Sequence, residues 1–317
     1  MNFWWREEPP LWSLALAPFA RAYRAGALLH RALTVPARAQ VPVISVGNLT
    51  VGGSGKTPVT LFLAQKLIAE GRRPAVLSRG YGRRTQGALR VSPEARAADV
   101  GDEPLLLSRR GVSVWVGEGR AELARLAVEQ GAGVLLLDDG LQHHGLERDL
   151  DVIVADASNP LGNGALLPRG PMREPLSALG RVDRGIVWLT RCDQPRHPRT
   201  RELLGRGFPV VESAWEVRDA DLRGEKLFLF AAIARPEGFA QTVLALGATV
   251  AGTRWFRDHH FFTARELEAL RREAKARDAR LLTTEKDFVR LEDPQDILPL
   301  PVDLRILSGA DVLERLP

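Results

Sequence analysis

The feature that most constrains the fold is a glycine-rich segment, Thr50-Val-Gly-Gly-Ser-Gly-Lys-Thr57, which lies between an apolar run and a helical pattern. The apolar run at 41–47 predicts a buried strand, and residues 56–70 predict a helix that ends before Gly71. A strand, a glycine-rich turn and a helix in this order are typical of a phosphate-binding loop, whose backbone N–H groups surround phosphate oxygens. The segment therefore predicts an α/β domain built on a parallel sheet.

Each part of this loop has a chemical role. Lys56 is expected to reach the β- and γ-phosphates and to act in catalysis, and the Thr57 hydroxyl is expected to bind Mg²⁺. The motif usually begins with Gly or Ala, whereas this sequence has Thr50. An ordinary glycine-rich turn is the alternative, but the strand, the glycines, the Lys-Thr pair and the helix all favour the loop. The predicted nucleotide-binding residues are Thr50, Val51, Gly52, Gly53, Ser54, Gly55, Lys56 and Thr57.

Two carboxylates end a later apolar strand, Val134-Leu-Leu-Leu-Asp138-Asp139. After a phosphate-binding loop, such a strand predicts the second half of a nucleoside-triphosphate site, with the carboxylates holding Mg²⁺ directly or through water. A solvated turn is the alternative for a strand end of this kind taken alone. We therefore expect Thr57, Asp138 and Asp139 to be the metal ligands.

The chain as a whole alternates strands and helices, which predicts two α/β units. A loop at 157–175 is rich in glycine and proline, and long loops in compact domains are usually functional. Residues 280–283 and 303–307 predict the last strands of the second unit. The expected organisation is an N-terminal amphipathic helical segment at 1–35, a P-loop domain at 36–205, a strand-containing linker at 206–225 and a smaller α/β domain at 226–317.

Composition excludes several classes of protein. The single cysteine, Cys192, excludes a disulfide framework and a cysteine-built metal site. The formal charge is +5, but the basic residues are dispersed, and only two tyrosines are present. A nucleic-acid binder needs a basic face interleaved with aromatic residues, so we expect no nucleic-acid partner.

The N-terminal segment combines three tryptophans with an apolar stretch at 11–20 and a cationic helical pattern up to residue 33. No stretch reaches the ~18–20 apolar residues of a membrane-spanning helix. Trp4, Trp5 and Trp12 beside an amphipathic, arginine-bearing helix are typical of a helix that lies on a membrane surface. A helix packed on the body of the domain is the alternative.

Three polar clusters follow predicted strands or begin helices. Ser78-Arg-Gly-Tyr-Gly-Arg83 follows a strand, at the sheet edge where α/β proteins bind ligands. Gly101-Asp-Glu-Pro104 places two acids at a helix start, where simple N-capping is the alternative. Asp258-His259-His260 groups three titratable residues. The histidines could be buried structural residues or metal ligands, although the sequence has no further Cys or His at a spacing that would complete a metal site.

Taken together, these motifs resemble the tetraacyldisaccharide 4'-kinase family, the lipid A 4'-kinases. The departures are Leu141, Arg169 and Arg257, where the family commonly has Phe, Ala and Pro, and none of them is a donor, acceptor or ligand that the chemistry requires. The matching segments are Val43–Pro58, Leu77–Gly82, Gly101–Pro104, Leu137–His143, Arg148-Asp149, Leu166–Pro175, Ala232–Pro236, Phe256–His260 and Leu282–Asp287.

The resemblance implies phosphoryl transfer from ATP, with Mg²⁺, to the 4'-hydroxyl of a tetraacyl glucosamine disaccharide 1-phosphate in lipid A biosynthesis. It further implies a peripheral protein on the cytoplasmic face of the inner membrane, whose partners are the membrane surface and the membrane-bound lipid substrate. We expect no stable protein partner. Candidates for substrate binding are Arg79, Tyr81, Glu103, Arg120, Gln142, His143, Arg173 and His260.

A secondary alcohol is a poor nucleophile, and the phosphate-binding loop offers no group to accept its proton. We expect Asp102 and His259 to act as a pair that activates the hydroxyl, brought together by closure of two domains. Either member of the pair could accept the proton. The choice of His259 over His260 comes from the resemblance.

The alternative function is a P-loop GTPase or metal-insertion nucleotide switch. Guanine sites usually place Asn-Lys-x-Asp after a late strand, whereas this chain has Thr190-Arg-Cys-Asp193. The Asp is kept and the Asn and Lys are lost, which favours the kinase.

Overall fold

The computed structural model describes residues 2–6, 8–218, 221–233, 236–258 and 260–317. His259, one member of the expected catalytic pair, lies outside the described residues. Within the described ranges, the strands form one nine-stranded sheet and one four-stranded sheet. The protein is therefore of the mixed α/β class with largely parallel strands, as the sequence predicts.

The helices and strands alternate along most of the chain. The strands are β1 (Val43–Gly47), β2 (Pro74–Ser78), β3 (Leu89–Arg90), β4 (Ser113–Val116), β5 (Val134–Asp138), β6 (Leu150–Asp156), β7 (Gly185–Thr190), β8 (Val210–Val217), β9 (Lys226–Ala231), β10 (Thr249–Trp255), β11 (Arg280–Thr284), β12 (Ile297–Leu300) and β13 (Val302–Ser308). The α-helices are α1 (Ala17–Leu33), α2 (Lys56–Ala69), α3 (Ala97–Val100), α4 (Asp102–Arg109), α5 (Arg120–Glu129), α6 (Thr200–Leu204), α7 (Pro236–Ala245), α8 (Ala264–Lys275) and α9 (Glu285–Phe288). Short 3₁₀ helices cover Asn2–Trp5, Leu11–Leu16, Leu176–Arg181 and Ala310–Arg315.

The large sheet has the strand order β13-β8-β7-β6-β1-β5-β2-β4-β3. Its edges carry antiparallel pairs, β13 with β8 and β3 with β4, while the strands between them run parallel. Strands β1, β2, β5, β6 and β7 are buried along their full length, which explains their continuous apolar sequences. Because β5 lies between β1 and β2 and pairs in parallel with both, the carboxyl ends of these three strands meet at one edge of the sheet.

The small sheet has the order β10-β9-β11-β12 and is parallel throughout. Helix α8 begins with a capping box, in which Thr263 and Glu266 exchange hydrogen bonds. The helix ends at Lys275.

The division of the chain differs from the predicted one in two places. The linker expected at 206–225 contains β8, which pairs with β7 in the large sheet. The C-terminal strand β13 leaves the small domain through Pro301 and pairs with β8, so the large sheet is completed by the end of the chain. A sequence pattern can predict that a segment is a strand, but it does not identify the strand with which that segment pairs. Pairing across more than 80 residues is decided by the tertiary fold.

Two connections therefore join the sheets, and they touch each other. The backbone N–H of Arg218, after β8, donates to the carbonyl oxygen of Pro301 at 3.1 Å. Pro301 alone separates β12 from β13. The two crossings are therefore in contact at Arg218 and Pro301.

Helix α1 is largely exposed, with Ala20 as its one buried residue. Its apolar side chains, including Phe19, Leu28, Leu29 and Leu33, face solvent. Across the described ranges, no helix is both long enough and apolar enough to cross a membrane.

Candidate active site

The glycine-rich loop joins the carboxyl end of β1 to the N-terminus of α2, the placement the sequence predicts. Gly52 and Gly55 have φ values of 105° and 89°, which L side chains rarely adopt. A Cβ at Gly55 would also lie 3.0 Å from Cγ2 of Thr190, at the end of β7. Glycine is therefore required at both positions. The backbone N–H groups of Val51 and Ser54 donate to the carbonyl oxygens of Pro171 and Gly52, so phosphate oxygens would be bound by the N–H groups of the other loop residues.

Three hydrogen bonds from two side chains hold the loop in place. Buried Asn48 donates from Nδ2 to Oγ of Ser54 at 2.9 Å, and its Oδ1 accepts a hydrogen bond from Nζ of Lys56 at 3.2 Å. From the other side, Oγ1 of Thr190 donates to the carbonyl oxygen of Ser54 at 3.0 Å. The loop is thus preformed, with its lysine directed by Asn48.

Asp139 is the acidic partner of this lysine. Its Oδ1 lies 3.5 Å from Nζ of Lys56, and its Oδ2 accepts a hydrogen bond from Arg173 at 2.6 Å. Burial alone would raise the pKa of Asp139, but the charges of Lys56 and Arg173 outweigh it and lower the pKa below its ordinary value. The residue has φ of 54°, an uncommon conformation for a non-glycine residue that points to a functional constraint.

Asp138 ends β5 and is buried. Its Oδ2 accepts a hydrogen bond from Oγ of Ser78 at 3.0 Å, while its Oδ1 is buried without a hydrogen-bond partner. Burial, and then the neighbouring charges of Glu103 and Asp139, raise the pKa of Asp138 to about 6. An orphaned carboxylate oxygen in a negatively charged neighbourhood fits a hard divalent cation, which would supply the missing positive charge.

The described residues contain no cluster of three or more His, Cys, Asp and Glu side chains that could enclose a metal ion. Mg²⁺ in nucleotide sites is usually held by one or two carboxylates together with substrate phosphates, and does not need such a cluster. Asp138 and Asp139, adjacent in the chain at the end of β5, offer such carboxylates, and the Thr57 hydroxyl lies at the start of α2, directly after the glycine loop.

Arginine side chains border the carboxylates. Arg120, at the start of α5, is buried and donates to the carbonyl oxygens of Gly117 at 3.1 Å and Asp138 at 3.3 Å. Burial lowers the pKa of Arg120, although the two carboxylates oppose that shift. Arg79 and Tyr81 lie on the exposed loop after β2, at the same edge of the sheet.

The turn after Asp139 connects the site to the loop that precedes the 3₁₀ helix at Leu176–Arg181. Gln142 donates from Nε2 to Oε2 of Glu174 at 3.1 Å and accepts a hydrogen bond from Arg173 at 3.3 Å. His143 is half-buried with an unpaired Nε2, and burial together with the charges of Arg120 and Arg148 lowers its pKa to about 4. Gln142 and Arg173 are thus brought into one network with Asp139, whereas His143 lies beside it as a neutral ring.

Asp102 and Glu103, at the start of α4, face α9 of the small domain. Glu103 accepts a hydrogen bond from Lys286 at 2.8 Å. Burial alone would raise the pKa of Glu103, but the Lys286 ammonium outweighs it, and the pKa is lowered. Asp102 accepts two hydrogen bonds from Arg290 through Oδ2, and its Oδ1 accepts from the backbone N–H of Glu103 at 2.9 Å.

Asp287 fixes the position of Arg290. Its Oδ1 accepts from Arg290 at 2.7 Å, and its Oδ2 accepts from Oγ1 of Thr284 at 2.7 Å and from the backbone N–H of Ala232 at 3.0 Å. The segment Leu282–Asp287 therefore has a structural role. Through Asp287 it holds Arg290 of the small domain against Asp102 of the large domain.

His260 lies away from these carboxylates, in the cap of α8. Its Nε2 is 3.0 Å from Oε2 of Glu266, and its ring stacks on Phe256 with centroids 5.0 Å apart. Its ring also meets the edge of Phe262. These contacts give His260 a structural explanation, while its expected role in substrate binding stays a prediction.

Sequence reasoning missed four polar residues of this site: Asn48, Thr190, Lys286 and Arg290. Asn48 and Lys286 lie inside the quoted motifs, and their position could have identified them. Arg290 lies three residues beyond Asp287, so an i, i+3 pairing on a helical turn was the available signal.

The fold and the site define a P-loop phosphotransferase: a parallel sheet, a glycine loop ending in Lys-Thr, and carboxylates on the neighbouring strand. The family model described as tetraacyldisaccharide-1-P 4'-kinase matches residues 12–316. The chain belongs to this family of phosphotransferases with an alcohol group as acceptor.

Individual proteins of known name are similar to this chain over nearly its whole length. The tetraacyldisaccharide 4'-kinase of Anaeromyxobacter dehalogenans (strain 2CP-C) is 49% identical, with 98% of this chain and 92% of that protein covered. The enzyme of the same name from Parvibaculum lavamentivorans is 46% identical, with 92% and 86% covered. A crystal structure of LpxK from Aquifex aeolicus, described as an "apo" form in complex with ATP, has a TM-score of 0.77 at 28% identity and covers 96% of this chain and 98% of its own.

Proposed function

We propose that this protein transfers the γ-phosphoryl group of ATP to the 4'-hydroxyl of a tetraacyl glucosamine disaccharide 1-phosphate, a step of lipid A biosynthesis. The observation that carries the proposal is the position of Lys56 between Asn48 and Asp139, on a preformed glycine loop next to Asp138. The name shared by the relatives supports a tetraacyldisaccharide as the phosphoryl acceptor, and the ATP in the Aquifex aeolicus structure supports ATP as the donor. The nucleotide-switch alternative has no comparable support.

The chain's own residues perform positioning and charge neutralisation, which account for most of the catalysis of phosphoryl transfer. The loop N–H groups and Lys56 hold the phosphates in line with the acceptor. Asp138, Asp139 and Thr57 are the residues that would hold Mg²⁺, which when bound neutralises charge on the phosphate oxygens. Arg79, Arg120 and Arg173 lie where they can compensate the charge that remains.

Activation of the acceptor hydroxyl requires a base outside the loop. Asp102 is buried at the junction of the two domains, and β10 of the small domain precedes His259 in the sequence. The paired crossings at Arg218 and Pro301 support a hinge about which the small domain closes. In this scheme, closure brings the acceptor and the Asp102–His259 pair together around ATP.

The acceptor is a lipid, and we propose that the protein takes it from the cytoplasmic face of the inner membrane. Residues 11–35 leave an apolar surface exposed, as Leu11, Phe19 and Leu33 illustrate with exposed fractions of 85%, 64% and 74%. Arg21, Arg24 and Arg31 are exposed on the same segment and suit anionic headgroups. Both features favour a peripheral helix resting on lipid over one packed on the domain.

The decisive experiment is transfer of labelled γ-phosphate from ATP to a tetraacyl disaccharide 1-phosphate in vesicles, with the products separated by thin-layer chromatography. We expect a labelled bisphosphorylated lipid that requires Mg²⁺ and is lost in Asp138→Asn. Label released only as inorganic phosphate, or tight GTP-selective binding without transfer to lipid, would refute the kinase assignment.

A further inference from the structure

The N-terminal 3₁₀ helix, Asn2–Trp5, lies against the glycine loop through Trp5. A Cβ at Gly52 would lie 3.4 Å from Cζ2 and 4.0 Å from Cη2 of Trp5, so the indole ring covers one side of this glycine. Thr190 meets Gly55 on the other half of the loop. The loop is therefore flanked by a side chain at each end.

Backbone contacts hold the tryptophan in place. The carbonyl oxygen of Trp4 accepts a hydrogen bond from the backbone N–H of Asn163 at 2.8 Å, and that of Trp5 accepts one from Nδ2 of Asn159 at 3.2 Å. The indole N–H of Trp4 donates to the carbonyl oxygen of Pro168 at 2.9 Å. Three hydrogen bonds thus fix residues 4 and 5 on the glycine- and proline-rich loop.

That loop is itself joined to the phosphate-binding segment. The backbone N–H of Val51 donates to the carbonyl oxygen of Pro171 at 2.8 Å, and the N–H of Arg173 donates to Leu49 at 2.7 Å. The N-terminal residues, the 157–175 loop and the glycine loop therefore form three contacting layers, and Trp5 touches the layer that receives phosphate.

We propose that Trp5 is a positioning residue for the nucleotide: its indole restrains the first half of the glycine loop and so increases the affinity for ATP. Glycines lose more conformational freedom on ordering than other residues, and Gly52 and Gly53 are both exposed. A ring packed on Gly52 limits the loop before the nucleotide arrives, which lowers the entropy cost of binding. The role is distinct from the membrane contact proposed for residues 11–35, because Trp5 faces the loop.

The inference rests on the ATP site proposed above, and the test is the dissociation constant for ATP with Mg²⁺, measured by calorimetry on the full chain without lipid. Trp5→Ala should raise that constant by roughly tenfold, an effect of the size that one lost aromatic contact produces. Trp5→Phe should restore most of the affinity because a ring still covers Gly52. The KM for ATP should rise in Trp5→Ala with little change in kcat, a split that a general loss of structure would not produce.

Tryptophan emission gives a second readout that does not depend on the alanine variant being stable. ATP should change the emission of the wild-type protein, and Trp5→Phe should abolish that change. The matched control is Trp215→Phe, in β8 at the far side of the large sheet, which should keep it. Wild-type affinity in Trp5→Ala, or an unchanged emission response in Trp5→Phe, would overturn the proposal for Trp5 alone; failure of the wild-type protein to bind ATP would instead overturn the proposed function.

Discussion

Arg290 donates two hydrogen bonds to Oδ2 of Asp102 across the junction of the two domains, with 1% and 8% of the respective side chains exposed. The two charge-assisted hydrogen bonds hold the carboxylate against a residue of the small domain. If Asp102 accepts the proton of the sugar hydroxyl, movement of the small domain has to change this pairing. Arg290 therefore links the hydrogen bonding of the expected base to the relative position of the domains.

Two carboxylates share Arg290, and they allow a matched comparison. Asp102→Asn should lower kcat by about 10²- to 10⁴-fold, the usual contribution of general base catalysis, and leave ATP affinity near the wild-type value. Asp287→Asn removes the other carboxylate, and should chiefly lower the free energy of unfolding, by about 1–3 kcal/mol, because a buried hydrogen bond between charged groups is lost while Arg290 stays paired with Asp102. The measurements are single-turnover transfer rates and urea denaturation, both at a temperature where each variant is folded.

The contrast between the two variants decides the role of Asp102. Equal loss of kcat in Asp102→Asn and Asp287→Asn would mean that Asp102 acts only in the ion-pair network. A double variant, Asp102→Asn with His259→Ala, should be little worse than the worse single variant if the two residues act as a unit.

The glycine loop gives a second prediction. Lys56→Ala should reduce turnover by about 10²- to 10³-fold, because it removes the ammonium group that stabilises the negative charge on the phosphates in the transition state. The control is Lys66→Ala on the same helix, where the side chain pairs with Glu70 on the surface. Lys66→Ala should keep wild-type turnover, and near wild-type activity in Lys56→Ala would exclude this loop as the phosphate site.

Much of the large sheet and the loop could be predicted because their signals are local. The run Val43–Gly47 is apolar and continuous, since β1 is buried on both faces, and the glycines of the loop are required by backbone angles that only glycine adopts easily. The position of the carboxylates proposed for Mg²⁺ could be predicted for the same reason, because Asp138 ends a strand adjacent to β1.

The remaining features depend on contacts between distant parts of the chain. No local pattern places β13 beside β8, and none directs Arg290 to Asp102, 188 residues earlier. The position of Trp5 over Gly52 was equally hidden, because an N-terminal tryptophan has the same local signal whether it contacts lipid or protein. Sequence periodicity reports which face of an element is apolar, and the fold decides what covers it.

The exposed apolar surface of α1 gives a third prediction. Phe19→Asp and Leu29→Asp should lower partition onto vesicles with anionic lipid by about 10- to 100-fold each, from the apolar burial that each side chain loses. The KM for lipid in vesicles should rise, while Trp4 and Trp5 stay docked and ATP affinity is unchanged. Leu244→Asp, at a similarly exposed leucine on α7, is the control and should sediment with vesicles like the wild type. Full sedimentation of the α1 variants would contradict the peripheral-helix proposal.

The fourth prediction concerns two adjacent histidines in the turn after Asp139. Burial, with the charges of Arg120 and Arg148, lowers the pKa of His143 to about 4, and burial with Arg181 lowers the pKa of His144 to about 4. An unfolded chain takes up these protons near the ordinary pKa of 6.5, whereas the folded chain takes them up only near 4. Protons therefore bind preferentially to the unfolded state between those values, and the free energy of unfolding should fall as the pH falls through this window.

Replacing both side chains should remove this pH dependence. Between pH 6.5 and 4.5, the free energy of unfolding of the double variant His143→Gln/His144→Gln should fall less than that of the wild type. The difference between the two slopes against pH should correspond to the uptake of up to two protons on unfolding. Urea denaturation at closely spaced pH values measures both slopes. An identical slope in the double variant would show that both rings titrate near their ordinary pKa, and would leave His143 available as a cation for the substrate's phosphate. A shallower slope means instead that His143 is neutral at physiological pH, so that any contact it makes with substrate is through a hydrogen bond rather than a charge.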